Sequence, residues 1–346
     1  MRIERKILFP LLFLLLPLFT MGQTSWKGTT STAWNNAGNW TSGVPTSTVD
    51  AVIGDASFTG AFQPTVNASA TCKSLTIGAT GSPVLTQSKG LTITGNLSIA
   101  SSGSLNQGNA LLTIKGNWSD NGTYTTTNTN SRVTFGGTTQ SIGGTVSTPF
   151  RKLTINTGST VTLNVNTSIS SAFAVNGTFI PAENATPYLV SGAATLSVGA
   201  SGVLKVNAST FAGNYAQTSV TLTAGSTVDY SATLVNQTIK ETLTYSTLKI
   251  SGSGTKTPAG NLTALNSSAA TAGNITVSTG TLDLSTFTAS RGTSVAGGTF
   301  TIANGATLKI GGTNTFPANY GTRSLSLTST VEYSGTAQTV SAQTYG

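Results

Sequence analysis

The sequence predicts an all-β protein: a right-handed parallel β-helix (solenoid) with an N-terminal Trp-rich cap. Three observations predict it. Hydrophobic–polar–hydrophobic triplets recur about every 22 residues, glycine and asparagine fall between them, and a second period of about 95–105 residues overlies the first. Handedness follows the general chirality of parallel crossovers.

Residues 1–22 read as a secretory signal peptide. Arg2, Arg5 and Lys6 precede an apolar run from Ile7 to Phe19, and Thr20-Met21-Gly22 ends in a small residue. Cleavage after Gly22 would leave Gln23 as the mature N-terminus. The apolar run is about 13 residues, too short for a stable span, and Pro10 and Pro17 interrupt it. No cysteine near the cleavage point suggests a lipid anchor, and no second apolar run follows. The mature chain is therefore expected outside the cell, with no membrane span.

Residues 23–70 read as the cap region. Trp26, Trp34 and Trp40, three of the four tryptophans, lie here before the regular triplets begin. An open solenoid end presents unpaired strand edges, and bulky aromatics suit a cover. The same three rings are the candidate ligand-binding residues, because flat aromatic faces can stack on the sugars of an extracellular polysaccharide.

Residues 71–346 read as the solenoid. Leu75-Thr-Ile77, Leu91-Thr-Ile93, Leu97-Ser-Ile99 and Leu112-Thr-Ile114 are half-buried strands with two inward side chains each. Gly95-Asn96 and Gly116-Asn117 mark bends, and Trp118 reads as a corner filler. About 15 rungs at roughly 4.8 Å would give a rod near 70 Å.

The long period aligns Leu204-Lys-Val206 with Leu308-Lys-Ile310, and Phe211, Asn214 and Tyr215 with Phe316, Asn319 and Tyr320. Val133-Thr-Phe135, Val228-Asp-Tyr230 and Val331-Glu-Tyr333 form a threefold set. Each is followed by a glutamine (Gln140, Gln237, Gln338) and then an aromatic (Phe150, Tyr245, Tyr345). After Tyr345 the sequence stops where the next Leu-x-Ile strand would start, so a truncated, longer chain is expected. Tandem immunoglobulin-like sandwiches are the alternative, but their strands are longer and disulfide-linked in the type case. Cys72 is the only cysteine here.

Composition narrows function. Charged residues are 8 % of the chain, against about 25 % in an average soluble domain. Removing the signal leaves 14 basic and 8 acidic residues, a net +6 against +8 for the whole chain. The basic residues are scattered, and only Arg151-Lys152 are adjacent, whereas nucleic-acid binding calls for clustering. Weak attraction to an anionic polysaccharide or surface remains open.

Two sets of residues carry a resemblance. Trp26-Lys-Gly28 with Ala33-Trp34-Asn-Asn-Ala-Gly-Asn39-Trp40 and Val44-Pro45 looks like the start of large bacterial surface proteins with β-solenoid passengers. Gly116-Asn117-Trp118-Ser-Asp-Asn-Gly122 and Val133-Thr-Phe135 with Gln140-Ser-Ile142 resemble repeats of adhesin-like proteins of the type IX secretion group. The resemblance implies display at the bacterial outer surface. The separate C-terminal sorting domain typical of that group is missing here.

Catalysis is not expected. With no histidine, a Ser-His-Asp triad and His-ligated zinc are impossible. The mature acids are Asp50, Asp55, Asp120, Glu183, Asp229, Glu241, Asp283 and Glu332; Asp229 and Glu332 read as solvent-facing strand positions. No Asp-x-Asp pair or Gly-rich calcium repeat occurs, so no metal or cofactor is expected. Gly252-Ser-Gly254 reads as a corner, not a phosphate loop. The thus-expected function is a secreted, non-catalytic structural or adhesive module binding through an extended polar surface. The alternatives are a carbohydrate-binding or spacer region of a larger polysaccharide-active enzyme, and ice binding. Ice binding would need Thr pairs such as those in Thr123–Thr129 stacked at one place on successive rungs.

Overall fold

Alternation sends every second side chain inward, and parallel pairing repeats that choice on the turn above. The computed structural model describes residues 22–345 except 79, 127, 264, 266–271 and 293–296. The expected signal peptide lies almost wholly outside the described residues. The fold is a β-solenoid of about 13 turns with almost no helix. Every ladder between its strands is parallel, as in Leu75 on Leu97 and Leu91 on Leu112, which excludes the sandwich alternative.

One sheet of 14 strands runs from Gln23–Ser25 to Thr322–Leu325. The other sides are shared by three shorter sheets. A four-stranded one runs from Thr65–Val66 to Thr123–Thr126, and a nine-stranded one reaches from Ala70–Cys72 to Val220–Leu222. A five-stranded one begins at Gln237–Ile239 and ends at Thr330–Tyr333.

Turns are less uniform than the 22-residue period suggests. Thr160 pairs with Thr178, a step of 18, whereas Thr247 pairs with Asn274, a step of 27. Longer turns explain why about 13 turns form rather than 15, giving a rod of roughly 60 Å.

The interior is a continuous column of Leu, Ile, Val and aromatic side chains, each contributing about 1.5–3 kcal/mol when fully buried. Cys72 belongs to it, and burial, with Asp50 nearby, pushes its thiol up to about 12. Trp118 belongs to it as well, which corrects its reading as a corner residue. It opens the strand Trp118–Asp120 and sits in register between Leu97 and Ile142. Gly252 and Gly254 do make corners, both at φ +72°.

The cap is built onto regular turns rather than set before them, since Gln23–Ser25 already pairs with Asp50–Ile53. The outer edge of that first strand is covered by the chain returning through Asn39–Ser42. Thr41 N–H donates to Ser25 O at 3.0 Å, and Lys27 N–H to Asn39 O at 2.6 Å. Trp34 N–H donates to Thr65 O, and Thr65 N–H to Thr32 O, covering the four-stranded sheet in the same way.

The repeat-equivalent glutamines clamp corners. Gln237 Nε2 donates to Val206 O and Ala208 O on the turn below, and its Oε1 accepts from Ala232 N–H. Gln140 bridges Ile114 O and Gly116 O and accepts from Gly137 N–H. Gln338 repeats the pattern with Ile310 O, Gly311 O and Gly335 N–H. The copies do not share a face, however. Val133 lies in the nine-stranded sheet, Val228 in the 14-stranded sheet and Val331 in the five-stranded sheet.

Candidate functional site

Trp26, Trp34 and Trp40 are all at most 1 % exposed. Trp40 stacks edge-on against both others, with ring centroids 5.1 Å and 4.8 Å apart. Trp26 Nε1 donates to Phe62 O at 2.8 Å and Trp40 Nε1 to Trp34 O at 2.7 Å. The rings form the core of the cap and leave no face free to stack on a sugar, so the expected platform is not available on them.

The carboxylates are dispersed. Asp229 corrects the sequence reading, because it is 1 % exposed rather than solvent-facing. It sits in register between Lys205 and Lys249, with Nζ–Oδ2 distances of 3.9 Å and 3.4 Å, and accepts from Ser251 Oγ at 2.7 Å. Its equivalent Glu332 pairs with Lys309 at 3.4 Å and is half exposed. Asp120 points inward, accepting from Thr148 Oγ1 and Gly122 N–H, and burial raises its pKa against those hydrogen bonds. Among the described residues no group of three or more metal-ligating side chains occurs.

The polar surface is organised as columns. Thr71, Thr92, Thr113, Thr134 and Thr154 stack in register on the nine-stranded sheet. Thr255, Thr281, Thr307 and Thr330 do so on the five-stranded sheet. The 14-stranded sheet carries Thr139, Thr160 and Thr178. Threonine suits a pleated half-buried surface, and its columns are spread over three faces rather than gathered into one flat array, which does not favour ice binding. Of the Thr run read in the sequence, Thr127 lies outside the described residues. Thr125 Oγ1 donates to Asn106 Oδ1 at 2.6 Å.

A basic hollow is the feature that sequence reasoning missed. It lies where the four-stranded sheet passes into the nine-stranded one. The first corner turns are short: Ser88–Gly90 joins Val84–Gln87 to Leu91–Ile93, and Gly108–Ala110 joins Ser104–Gln107 to Leu111–Ile114. The next, between Thr123–Thr126 and Arg132–Phe135, is longer and carries Asn128, Thr129 and Asn130. One turn higher the strand Thr148–Ile155 runs through, with irregular pairing between Phe150 and Lys152. A long turn overhanging short ones leaves a hollow of about 430 Å³.

Lys89, Arg132 and Lys152 line that hollow with Ser88, Asn109, Asn130 and Leu111. Leu111 and Arg132 are register partners, so they point the same way. Lys152 Nζ donates to Asn130 Oδ1 at 3.2 Å, and Asn130 N–H to Asn128 Oδ1 at 3.1 Å, which together fix the overhanging turn. On its other side Arg151, Thr126, Asn128, Thr129 and Ser170 line a second hollow of about 250 Å³. Arg151 reaches Ser170 Oγ only at 3.5 Å, and its buried Nε has no hydrogen-bond partner. None of these four cations takes part in the four ion pairs among the described residues. Spacings of 20 to 21 residues between stacked positions were the available signal, but their use requires the corner register.

A family model described as a domain of unknown function, DUF8693, matches residues 25–135. No curated protein and no solved structure matches the chain. The chain is thus similar to that family from the cap through the strand Arg132–Phe135, a stretch that includes Lys89, Asn109 and Arg132 of the basic hollow.

Proposed function

We propose that the protein is a secreted, non-catalytic structural and adhesive module of the bacterial cell surface, binding through its extended polar faces. The observation that carries this reading is the in-register polar column. Thr71 to Thr154 repeats one small polar side chain over five turns, a stretch of roughly 19 Å at the usual strand spacing. Such a surface offers many weak, repeated hydrogen bonds to an extended partner, and multivalent contact then supplies the strength. Export would follow from residues 1–22, and display at the outer surface from the adhesin-like resemblance of the repeats.

The test has two parts. Protease shaving of intact cells, with N-terminal sequencing of the released chain, is expected to find it outside and beginning at Gln23. Purified residues 23–346 are expected to bind intact cells or their extracellular polysaccharide in sedimentation assays. A chain retained in the cytoplasm with residues 1–22 attached, or one that binds neither material, would sink the reading.

A further inference from the structure

We infer that the hollow lined by Lys89, Arg132 and Lys152 is a binding site for a linear anionic polysaccharide lying along the rod axis, an inference that rests on the adhesive reading above. Leu91, two residues after Lys89, stands one turn below Leu112, Leu111 below Arg132, and Val133 below Leu153, so the cations climb one corner over three steps. At the strand spacing those steps cover roughly 14 Å, and each step is comparable to the length of one hexose. Lys89 and Arg132 are two steps apart and Arg132 and Lys152 one, so a polymer bearing one anion per sugar can meet all three cations, and one bearing an anion on every second sugar can meet Lys89 and Arg132.

The lining suits such a chain in other respects. Among the described residues it contains no carboxylate, and Lys89 and Arg132 are exposed. Ser88, Asn109 and Asn130 offer hydroxyl and amide groups to sugar hydroxyls, and half-buried Leu111 offers a small apolar floor to the ring C–H groups. Arg151, across the overhanging turn, continues the positive track into the second hollow. The guanidinium groups can meet a carboxylate or sulfate with two parallel hydrogen bonds. A nucleic acid is less well served, because neither hollow is lined by an aromatic ring on which bases could stack.

The experiment uses residues 23–346 in affinity electrophoresis and calorimetry against polygalacturonate, dextran sulfate, unmodified dextran and a single-stranded oligonucleotide, at about 50 mM and about 300 mM salt. Both polyanionic polysaccharides, or one of them, should bind, more weakly at the higher salt, and dextran should not. Preference for polygalacturonate would assign a uronate ligand, and preference for dextran sulfate a sulfated one.

The triple variant Lys89→Gln, Arg132→Gln, Lys152→Gln should lose at least about tenfold in affinity, the summed effect of three rim charges. The triple variant Lys27→Gln, Lys240→Gln, Arg323→Gln makes the same change in net charge elsewhere and should stay within about twofold. Circular dichroism checks that both variants fold. Equal losses in both, no loss in the first, or tighter binding of the oligonucleotide than of either polysaccharide would overturn the site. Binding of cells without binding of any polyanion would overturn the site and leave the adhesive reading standing. Polyanion binding that depends on the three cations, in a parent that binds no cells, would do the reverse.

Discussion

The hydroxyls of Tyr230 and Tyr245 lie 3.0 Å apart in the buried interior. Tyr245 donates onward to Lys240 O at 2.7 Å, and Lys240 N–H donates to Tyr230 at 2.9 Å, so Tyr230 supplies the proton between the two rings. Burial pushes the Tyr230 hydroxyl up to about 12, keeping it protonated. Tyr333, Tyr345 and Ser341 repeat the circuit at 3.0, 2.9 and 3.2 Å, but in an exposed setting.

Replacing Tyr230 by Phe takes the acceptor from the half-buried Lys240 N–H and the donor from the buried Tyr245 hydroxyl, at a cost of about 1–3 kcal/mol. Tyr333→Phe should cost much less, because water can take over the lost bonds. Urea or thermal unfolding of the two variants checks this, and equal losses would refute it.

Asp120 is expected to weaken the fold at neutral pH. Its raised folded-state pKa means that the folded chain binds this proton more tightly than the unfolded chain does. Stability from this group is therefore full below the ordinary carboxylate value and is lost as pH rises through the raised one. Asp120→Asn keeps an acceptor for Gly122 N–H, removes the buried charge, and sets an amide N–H against Thr148 Oγ1, whose hydroxyl oxygen can accept. It should match or exceed the parent in thermal stability at pH 7, and flatten the dependence on pH. Asp120→Ala should lose about 1–3 kcal/mol. An Asn variant less stable than the Ala variant would contradict the argument.

All four tryptophans are at most 1 % exposed. Intrinsic fluorescence should accordingly be blue-shifted and poorly quenched by acrylamide, and polygalacturonate should not move it. A red-shifted, readily quenched spectrum would return the cap rings to the surface.

These tryptophans also mark what was and was not legible in the sequence. The triplets gave the strands, because a Leu-x-Ile run with its bend residues has few other uses, and the three glutamines were visible as equivalents. Burial of the Trp rings was not, since an aromatic cluster reads alike as core and as sugar platform until the covering chain at Asn39–Ser42 is placed. Asp229 was misplaced because alternation alone sends it outward, while burial between Lys205 and Lys249 depends on which turns stack. Lys89, Arg132 and Lys152 looked scattered for the same reason. Turn length, not residue type, sets who stands above whom.

Glu183 should confer an acid-sensitive loop. Slight burial pushes its carboxyl up, but hydrogen bonds from Leu234 and Thr233, with the Lys256 ammonium nearby, win and hold it below the ordinary glutamate range. The stabilisation is therefore present above the ordinary value and lost as pH falls through the depressed one. Backbone amide exchange at Thr233 and Leu234, compared with theirs in Glu183→Gln across that window, is the readout. Protection in the parent should fall toward that of the variant on acidification; protection that does not change with pH would refute the assignment.

The shift of each long-repeat copy onto a different sheet means that the rod has no front. Corners of the same construction, held by Gln140, Gln237 and Gln338, look out in different compass directions at different heights. A neighbour engaged by one corner leaves the others pointing elsewhere, toward other neighbours. Under the adhesive function proposed above, such a rod would act as a cross-linking post rather than a one-sided tile.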